Sequence, residues 1–478
     1  QLTLLFTLCL VLLASCRQAE VPTQYTDSSQ LPKMYPDYVD VTIPINIAPL
    51  SMELCQQAQD VVVRYATSGE EIVCGGKKAM PAIDEWKDLT SKAAGGDITV
   101  EVFAKNDDKW TRFKPFAIHV SKDSIDPYIS YRLIAPSYVT YEELTINQRC
   151  LENYDESVIY NNMLLSVETE GQCINCHNYQ AYNPNRMQFH ARQNHGGTVV
   201  AYDGKVKKVN MKNDSILSAG VYPAWHPWLK LIAYSTNKTM QSFHTSDINK
   251  IEVFDSQSDL IIYDVDKNEV TNIENDSTEF ECYPTWSPDG KWLYYVSAHF
   301  EFRDTIPHEA ECIKRSKEIK YSIYRKSFNP ETMQFGPREM VFDAASLGKS
   351  ATLPRISPDG KYLLFSMGEW GCFHIWHRDA DLYMLRLADN KVWPLTKTNS
   401  PQAESFHNFS SNGKWIIFSS RRNDGDYTRL FFAHVDADGN TTKAFELPQQ
   451  DPDFHRMFMK SYNIPEFMRG PVTIKPQE

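Results

Sequence analysis

The residues with the clearest chemistry lie in the stretch "EGQCINCHNYQAYNPNRMQFHARQNH", from 170 to 195. Cys173 and Cys176 are separated by two residues, and His177 follows directly. On a helical turn, this spacing brings both sulfurs to one side, where each can add to a vinyl group of a porphyrin. The imidazole that follows then reaches the iron. The pattern therefore favours one covalently attached haem c, held by Cys173 and Cys176, with His177 as the proximal iron ligand.

Two other chemistries would use the same residues. A thioredoxin-like redox pair requires a βαβ setting, which the surrounding sequence does not provide. A structural zinc site needs four ligands, and the sequence contains no second Cys-x-x-Cys. Cys173, Cys176 and His177 would complete such a site only with His190 or His195. A zinc site and a plain disulfide stay open as alternatives to the haem.

The sixth iron ligand has three candidates, Met187, His190 and His195, all within 18 residues of His177. A thioether ligand raises the reduction potential of the iron relative to two histidines, which suits electron transfer. We therefore favour Met187 over His190. If Met187 only packs on the porphyrin, the iron has an open position and the protein could act on a bound ligand.

The beginning of the sequence indicates export. "QLTLLFTLCLVLLASCRQAE" is apolar over the length of a signal peptide. Its "LASC" ending matches the bacterial lipobox, so we expect cleavage before Cys16 and attachment of lipid to its sulfur. A plain secretory peptide is the alternative. The residues after Cys16 contain no dense acidic cluster, which favours the periplasmic face of the outer membrane. The net charge of -12 argues against nucleic acid as a partner.

The second half of the chain repeats one pattern four times, at 222–236, 283–297, 353–367 and 407–421. In each copy, a turn such as "SPDG" leads into a strand of β-branched and aromatic residues. Repeats of about 50 to 70 residues with several strands each are typical of β-propeller blades, which are stable only when stacked. We expect five or six blades. The segments 197–210 and 461–467 are candidates for the strands that close the ring.

These patterns predict an all-β protein. A lipoprotein signal peptide occupies 1–16, and a polar tether follows at 17–36. Short alternating runs predict an immunoglobulin-like β-sandwich at 37–130, interrupted by a helix near 82–94. The segment 131–196 is expected to be a connector that carries the haem motif as a small insertion, before the propeller at 197–470.

Several histidines recur near the predicted strand ends, often after phenylalanine. His244, His374, His377 and His407 are candidates for one mouth of the propeller, where they would face the haem or bind a metal. The alternative is that they are hydrogen-bonded structural residues. The first repeat also departs from the pattern, because His226 begins a turn that starts with serine elsewhere. His226 is therefore a candidate functional residue.

The "SPDGKWL" repeats resemble those of periplasmic TolB-like propellers of the PD40 or WD type. Together with "CINCHNYQAYNPNRMQFHAR" and "FSSRRNDGDYTRLFF", they resemble a family of exported Bacteroidota lipoproteins that combine such a propeller with one c-type haem motif. The resemblance implies a monohaem cytochrome, anchored in the outer membrane by lipid and facing the periplasm. It would transfer single electrons to or from a redox partner protein or an envelope complex, with the propeller as docking platform.

Two other functions are consistent with the same sequence. A haem enzyme with an open iron position would act on peroxide or small nitrogen compounds. A TolB-like interaction scaffold would hold the haem only as a structural element. The sequence identifies neither electron donor nor acceptor.

Overall fold

The computed structural model describes residues 19–135, 143–164, 171–193, 195–303 and 305–476. Strands predominate in these residues and the helices are few and short, so the expected all-β class is confirmed. The chain forms two compact units. Of the described residues, the N-terminal unit contains 19–124 together with 448–458, and the second unit contains those between 125 and 447 and between 459 and 476.

The N-terminal unit consists of two sheets and two helices, Ile83–Lys92 and Phe454–Met457, and its two sheets agree with the expected sandwich. Its strands are β1 (Thr26–Asp27), β2 (Met34–Tyr35), β3 (Thr42–Pro44), β4 (Met52–Leu54), β5 (Asp60–Thr67), β6 (Glu70–Gly75), β7 (Lys78–Ala79), β8 (Asp97–Asn106), β9 (Lys109–Arg112) and β10 (Phe116–Ser121). β2, β4 and β7 form the small sheet, and the other seven strands form the large one. The helix Ile83–Lys92 buries Trp86 against Tyr65, at the predicted position. The unit starts earlier than expected, because β1 and β2 lie in the predicted tether.

The second unit is a propeller of six four-stranded blades. The strands are given from the innermost one outwards. Blades 1 and 2 consist of β34 (Ser461–Met468), β11 (Tyr128–Ile134), β12 (Thr145–Cys150) and β13 (Glu156–Asn161), and of β14 (Gln172–Tyr179), β15 (Met187–Gln193), β16 (Gly197–Tyr202) and β17 (Lys205–Val209). Blades 3 and 4 consist of β18 (Gly220–Trp225), β19 (Leu231–Phe243), β20 (Ile251–Asp264) and β21 (Glu269–Glu274), and of β22 (Glu279–Trp286), β23 (Trp292–His299), β24 (Ser322–Asn329) and β25 (Gln334–Phe342). Blades 5 and 6 consist of β26 (Ser350–Ile356), β27 (Tyr362–Gly368), β28 (Asp381–Arg386) and β29 (Lys391–Pro394), and of β30 (Glu404–Phe409), β31 (Trp415–Ser420), β32 (Arg429–His434) and β33 (Phe445–Glu446).

The ring is closed by pairing the end of the chain with an early hairpin. β34 pairs antiparallel with β11, so blade 1 combines strands that are more than 300 residues apart. The inner strands contact their neighbours in a complete circle, from β34 through β14, β18, β22, β26 and β30 back to β34. The expected closing strand at 461–467 is therefore present. The segment 197–210 does not close the ring, because it forms the outer strands of blade 2.

The structure divides the middle of the chain differently from the expectation. Residues 131–196 are not a connector with an insertion, because they supply the strands of blade 1 and the inner half of blade 2. An apolar layer between blades 1 and 2 contains Tyr160 and Phe189, and further layers separate the blades that follow. Each blade thus buries its faces against its neighbours, as stacked repeats require.

The "SPDG" turns are held by their own side chains. In blade 4, Ser287 Oγ donates to Asp289 Oδ1, and the Lys291 N–H donates to the same carboxylate at 3.1 Å. In blade 3, the His226 ring replaces this carboxylate. Its Nδ1 accepts hydrogen bonds from the N–H groups of Trp228 at 3.3 Å and Leu229 at 3.0 Å. His226 therefore has a structural task in the turn.

Candidate functional site

Each inner strand of the propeller contains a bulge at an equivalent position. In all six, the pairing with the adjacent strand shifts register there. The first residue of each bulge dipeptide has a left-handed conformation, with φ between 44° and 59°. From blade 1 to blade 6, the dipeptides are Ile464-Pro465, Cys176-His177, Tyr222-Pro223, Tyr283-Pro284, Leu353-Pro354 and Phe406-His407. Because non-glycine residues rarely adopt this conformation, its recurrence indicates a common requirement of the inner strands.

The Cys-x-x-Cys-His motif coincides with the bulge of blade 2. Its residues lie on β14, which pairs with β15 on both sides of the bulge. The expected helical turn is therefore wrong: hydrogen bonding to β15 keeps this segment extended. Cys176 and His177 are 2% and 1% exposed, and Cys173 is half-buried.

The three motif side chains have different surroundings. Cys173 packs against the apolar layer between blades 1 and 2. Cys176 and His177 line a small cavity on the propeller axis. Burial is the largest influence on the His177 ring and lowers its pKa to about 3. Among the described residues, neither ring nitrogen of His177 makes a hydrogen bond of normal geometry, although the backbone of Ser130 and Ile464 interacts with the ring and partly opposes this pKa shift.

The candidate distal ligands also lie in blade 2. Met187 is buried in the layer between blades 1 and 2, opposite Tyr179 in the register of the sheet. His190 is buried further along β15, where its Nδ1 lies 3.2 Å from Thr198 Oγ1. Burial lowers the pKa of His190 to about 4. His195 is exposed in the next turn. The structure does not bring these three side chains together on one side of His177.

The motif residues do not fit a haem in this arrangement. Haem c requires both sulfurs at the edge of one flat ring and the imidazole beneath it. Cys173 instead lies in an interblade layer, while Cys176 and His177 border a cavity of about 40 Å³. Such a volume holds a few water molecules at most. Attachment of a porphyrin would require β14 to separate from its neighbours.

A larger cavity of about 340 Å³ opens at one end of the axis. Each inner strand contributes the residue that follows its bulge dipeptide, and we call these six residues the axial ring. Its members, from blade 1 to blade 6, are Glu466, Asn178, Ala224, Thr285, Arg355 and Asn408. Trp225, Trp286 and Tyr182 add aromatic surface. The cavity therefore combines apolar walls with a few polar groups, the usual composition of a ligand site.

Glu466 is the most buried charged member of the axial ring. Its carboxylate accepts hydrogen bonds from the amides of Asn178, at 3.1 Å, and Asn408. The Arg355 guanidinium approaches from blade 5, 3.3 Å from Glu466 Oε1. Burial raises the pKa of Glu466, while Arg355 and the two amides oppose that shift. Ala224 and Thr285 are short and leave space beside this group.

The other end of the axis is covered. β19 and β20 are twice as long as typical blade strands, and their hairpin reaches from blade 3 to blades 5 and 6. It is held there by the buried pair of Glu252 and His377, 2.9 Å apart, and by Lys250 with Asp426. Within this hairpin, on β20, burial raises the pKa of Asp255 to about 7. A ligand therefore has its entrance at the axial ring.

The remaining predicted histidines do not form one site. His374 and His377 are neighbours under the hairpin, with ring centroids 5.4 Å apart. His407 is buried in the bulge of blade 6, with Nε2 3.2 Å from the Leu364 carbonyl oxygen. His244 lies partly exposed beyond β19. Within the described ranges, no group of three or more His, Cys, Asp or Glu side chains is arranged to hold a metal ion.

The expected lipid anchor at Cys16 lies outside the described residues. The cysteines that the structure does describe are free thiols, Cys173 and Cys176 included. Of the helices in the described part of the chain, none has the length and apolarity needed to cross a membrane.

Comparison with known proteins does not assign this chain to a family. No family model and no curated protein matches the chain. Similar solved structures include a prolyl endopeptidase, with 12% identity, a TM-score of 0.36 and coverage of 68% of this chain and 42% of that one. The tricorn protease has 10% identity, a TM-score of 0.34 and coverages of 75% and 34%. Hydrazine synthase from Kuenenia stuttgartiensis has 11% identity, a TM-score of 0.34 and coverages of 63% and 75%. The chain spans about two fifths of the first of these, and the likenesses carry no functional argument.

Sequence reasoning missed the axial ring, although the sequence contains a signal for it. Arg355 and Glu466 each follow a dipeptide that ends in proline, and Asn178 and Asn408 each follow one that ends in histidine. Aligning the repeats at this dipeptide, rather than at the "SPDG" turn, places all six ring positions in one column.

Proposed function

We propose that this protein is a binding protein whose propeller takes an acidic ligand at the axial ring. The observation that carries the proposal is the guanidinium of Arg355 at the floor of an open cavity of about 340 Å³, to which all six inner strands contribute. The volume lies at the lower end of the range for small-molecule pockets. It suits a small organic acid or the end of a peptide chain.

The charges around the cavity favour a carboxylate. Arg355 forms part of the floor, and Arg469 lies at the rim, with its guanidinium 5.8 Å from the Tyr182 ring centroid. The acidic group among the cavity residues, Glu466, already accepts hydrogen bonds from two amides. One guanidinium nitrogen of Arg355 also pairs with Glu466, at 3.3 Å. The remaining N–H groups of Arg355 can meet a ligand, because guanidinium groups bind carboxylates through several parallel hydrogen bonds. The aromatic side chains would hold the apolar part of that ligand.

Calorimetric titration tests the proposal with two matched probes. N-acetyl-phenylalanine has a free carboxylate, and its amide is the same molecule without the charge. We expect binding of the acid and at least tenfold weaker binding of the amide. Arg355→Gln should weaken binding of the acid about 10- to 100-fold, because a charge-assisted hydrogen bond contributes about 1.5–3 kcal/mol.

Arg386→Gln provides the matched control. Arg386 is the last residue of β28, and it pairs with Asp389 outside the cavity. The affinity of the Arg386→Gln variant for the acid should equal that of the natural protein. Equal binding of acid and amide, or equal loss of affinity in both variants, would contradict the proposal. Repeating the titration with an acidic peptide and with a free dicarboxylic acid separates the two sources of such a ligand.

The haem-based functions remain predictions from the sequence motif. The monohaem electron carrier, the haem enzyme and the scaffold with a structural haem all require Cys173, Cys176 and His177 to reach one porphyrin. The folded arrangement does not offer this, so we derive no redox step from it. Lipid anchoring and the periplasmic location also stay predictions.

A further inference from the structure

We infer that Cys173-x-x-Cys176-His177 belongs to the propeller framework as the blade 2 copy of the inner-strand bulge, and that the mature protein has no haem attached there. The inference is independent of the ligand proposed for the axial ring. It rests on the equivalence of six bulges and on the chemistry of the residues that occupy them.

The position of Cys176 requires a left-handed backbone and not a particular side chain. Its counterparts in the other blades are Ile464, Tyr222, Tyr283, Leu353 and Phe406, all with positive φ. The six equivalent positions hold five residue types of different size and shape, so the bulge tolerates many apolar side chains. Cysteine behaves as a small apolar residue when it is buried.

The position of His177 is proline in four of the six blades, and His407 is the other exception. Proline has a fixed φ and no N–H group. A backbone that accepts proline in four copies therefore has no need of the N–H at this position. In blade 2, the register resumes only at Asn178, so the bulge leaves His177 outside the regular pairing with β15.

The two histidines make a matched pair for substitution. Within the described residues, neither nitrogen of the His177 ring makes a hydrogen bond of normal geometry, whereas His407 Nε2 lies 3.2 Å from the Leu364 carbonyl oxygen. Replacing His177 by proline removes an unsatisfied buried group and keeps the bulge. Replacing His407 by proline also keeps the bulge but removes a hydrogen bond.

The test uses the full chain, exported in cells that carry out c-type haem maturation. We expect the intact mass of the purified protein to contain no porphyrin, and its pyridine spectrum to show no haem bands. His177→Pro should melt within about 3 °C of the natural protein, a shift that corresponds to small changes in stability at this size. His407→Pro should melt at a lower temperature than His177→Pro.

Two results would overturn the inference. One is a porphyrin that stays on the chain in acid solvent and is lost in both Cys173→Ser and Cys176→Ser. The other is a His177→Pro protein that fails to fold while His407→Pro folds, because the two positions would then not be equivalent. A protein without porphyrin and with a folded His177→Pro variant supports the inference.

Discussion

Glu281 allows a quantitative test of how burial inside the propeller changes the pKa of a carboxyl group and the stability of the protein. It lies on β22 with its side chain fully buried, and neither carboxylate oxygen has a hydrogen-bond partner among the described residues. Burial, followed by the nearby carboxylates of Glu274 and Asp259, raises its pKa from 4.5 to about 9. The carboxyl is therefore protonated in the folded protein at neutral pH, whereas it is ionised in the unfolded chain.

The sign of the pH effect follows from this difference. Because the folded pKa is the higher one, the contribution of Glu281 to stability is complete below about pH 4.5 and is lost as the pH rises through 9. The loss amounts to about 1.4 kcal/mol for each pH unit between the two values. At pH 7, ionisation of the unfolded chain thus lowers the free energy of unfolding by about 3 kcal/mol.

Glu281→Gln removes this ionisation and keeps the shape of the side chain. We expect the free energy of unfolding in urea to rise by about 3 kcal/mol at pH 7, with no gain at pH 4 and a larger gain at pH 8.5. Glu331→Gln is the control, because Glu331 is exposed and a surface change of this kind stays within about 0.5 kcal/mol. A gain that is absent at pH 7, or that is the same at pH 5 and pH 8.5, would refute the reasoning.

Two further predictions concern His226, in the turn that precedes β19, and its contact with Gly290. His226→Ala removes the acceptor of two turn N–H groups and the contact of Nε2 with the Gly290 carbonyl oxygen at 3.1 Å. We therefore expect the free energy of unfolding, measured in urea, to fall by about 2–4 kcal/mol. His299→Ala, at an exposed ion pair, should cost less than about 1 kcal/mol, and an equal cost would contradict the role of His226. Gly290 and Gly360 both have positive φ, but a Cβ at Gly290 would lie 2.6 Å from the His226 ring, while one at Gly360 meets nothing within 4 Å. Gly290→Ala should therefore lower the melting temperature clearly more than Gly360→Ala, and equal shifts would show that the ring can move aside.

The sequence predicted the blades that carry a recognisable turn. "SPDG" and its variants mark the turns before the second strands of blades 3 to 6, because local side chains hold these turns. Blade 2 has no such signal, since its first turn passes through Ala181 and Tyr182, both left-handed. Blade 1 could not be read as a unit, because its inner strand lies at the other end of the chain.

The candidate site was harder to predict, for physical reasons that differ between residues. The spacing of Cys173 and Cys176 is a local pattern, and it says nothing about the pairing with β15 that keeps the segment extended. Arg355 and Glu466 are 111 residues apart and meet only because six strands converge on one axis. Sequence patterns report local periodicity well, whereas this convergence depends on the closure of the whole ring.

The pairing of β34 with β11 also sets the order in which the molecule can mature. A chain still being made lacks the innermost strand of its first blade until β34 has been made. Until then Ile129, Tyr131 and Leu133 form an unprotected sheet edge. The ring therefore cannot be completed blade by blade from the N-terminus, and the growing chain depends on protection of that edge until β34 is available to pair with it.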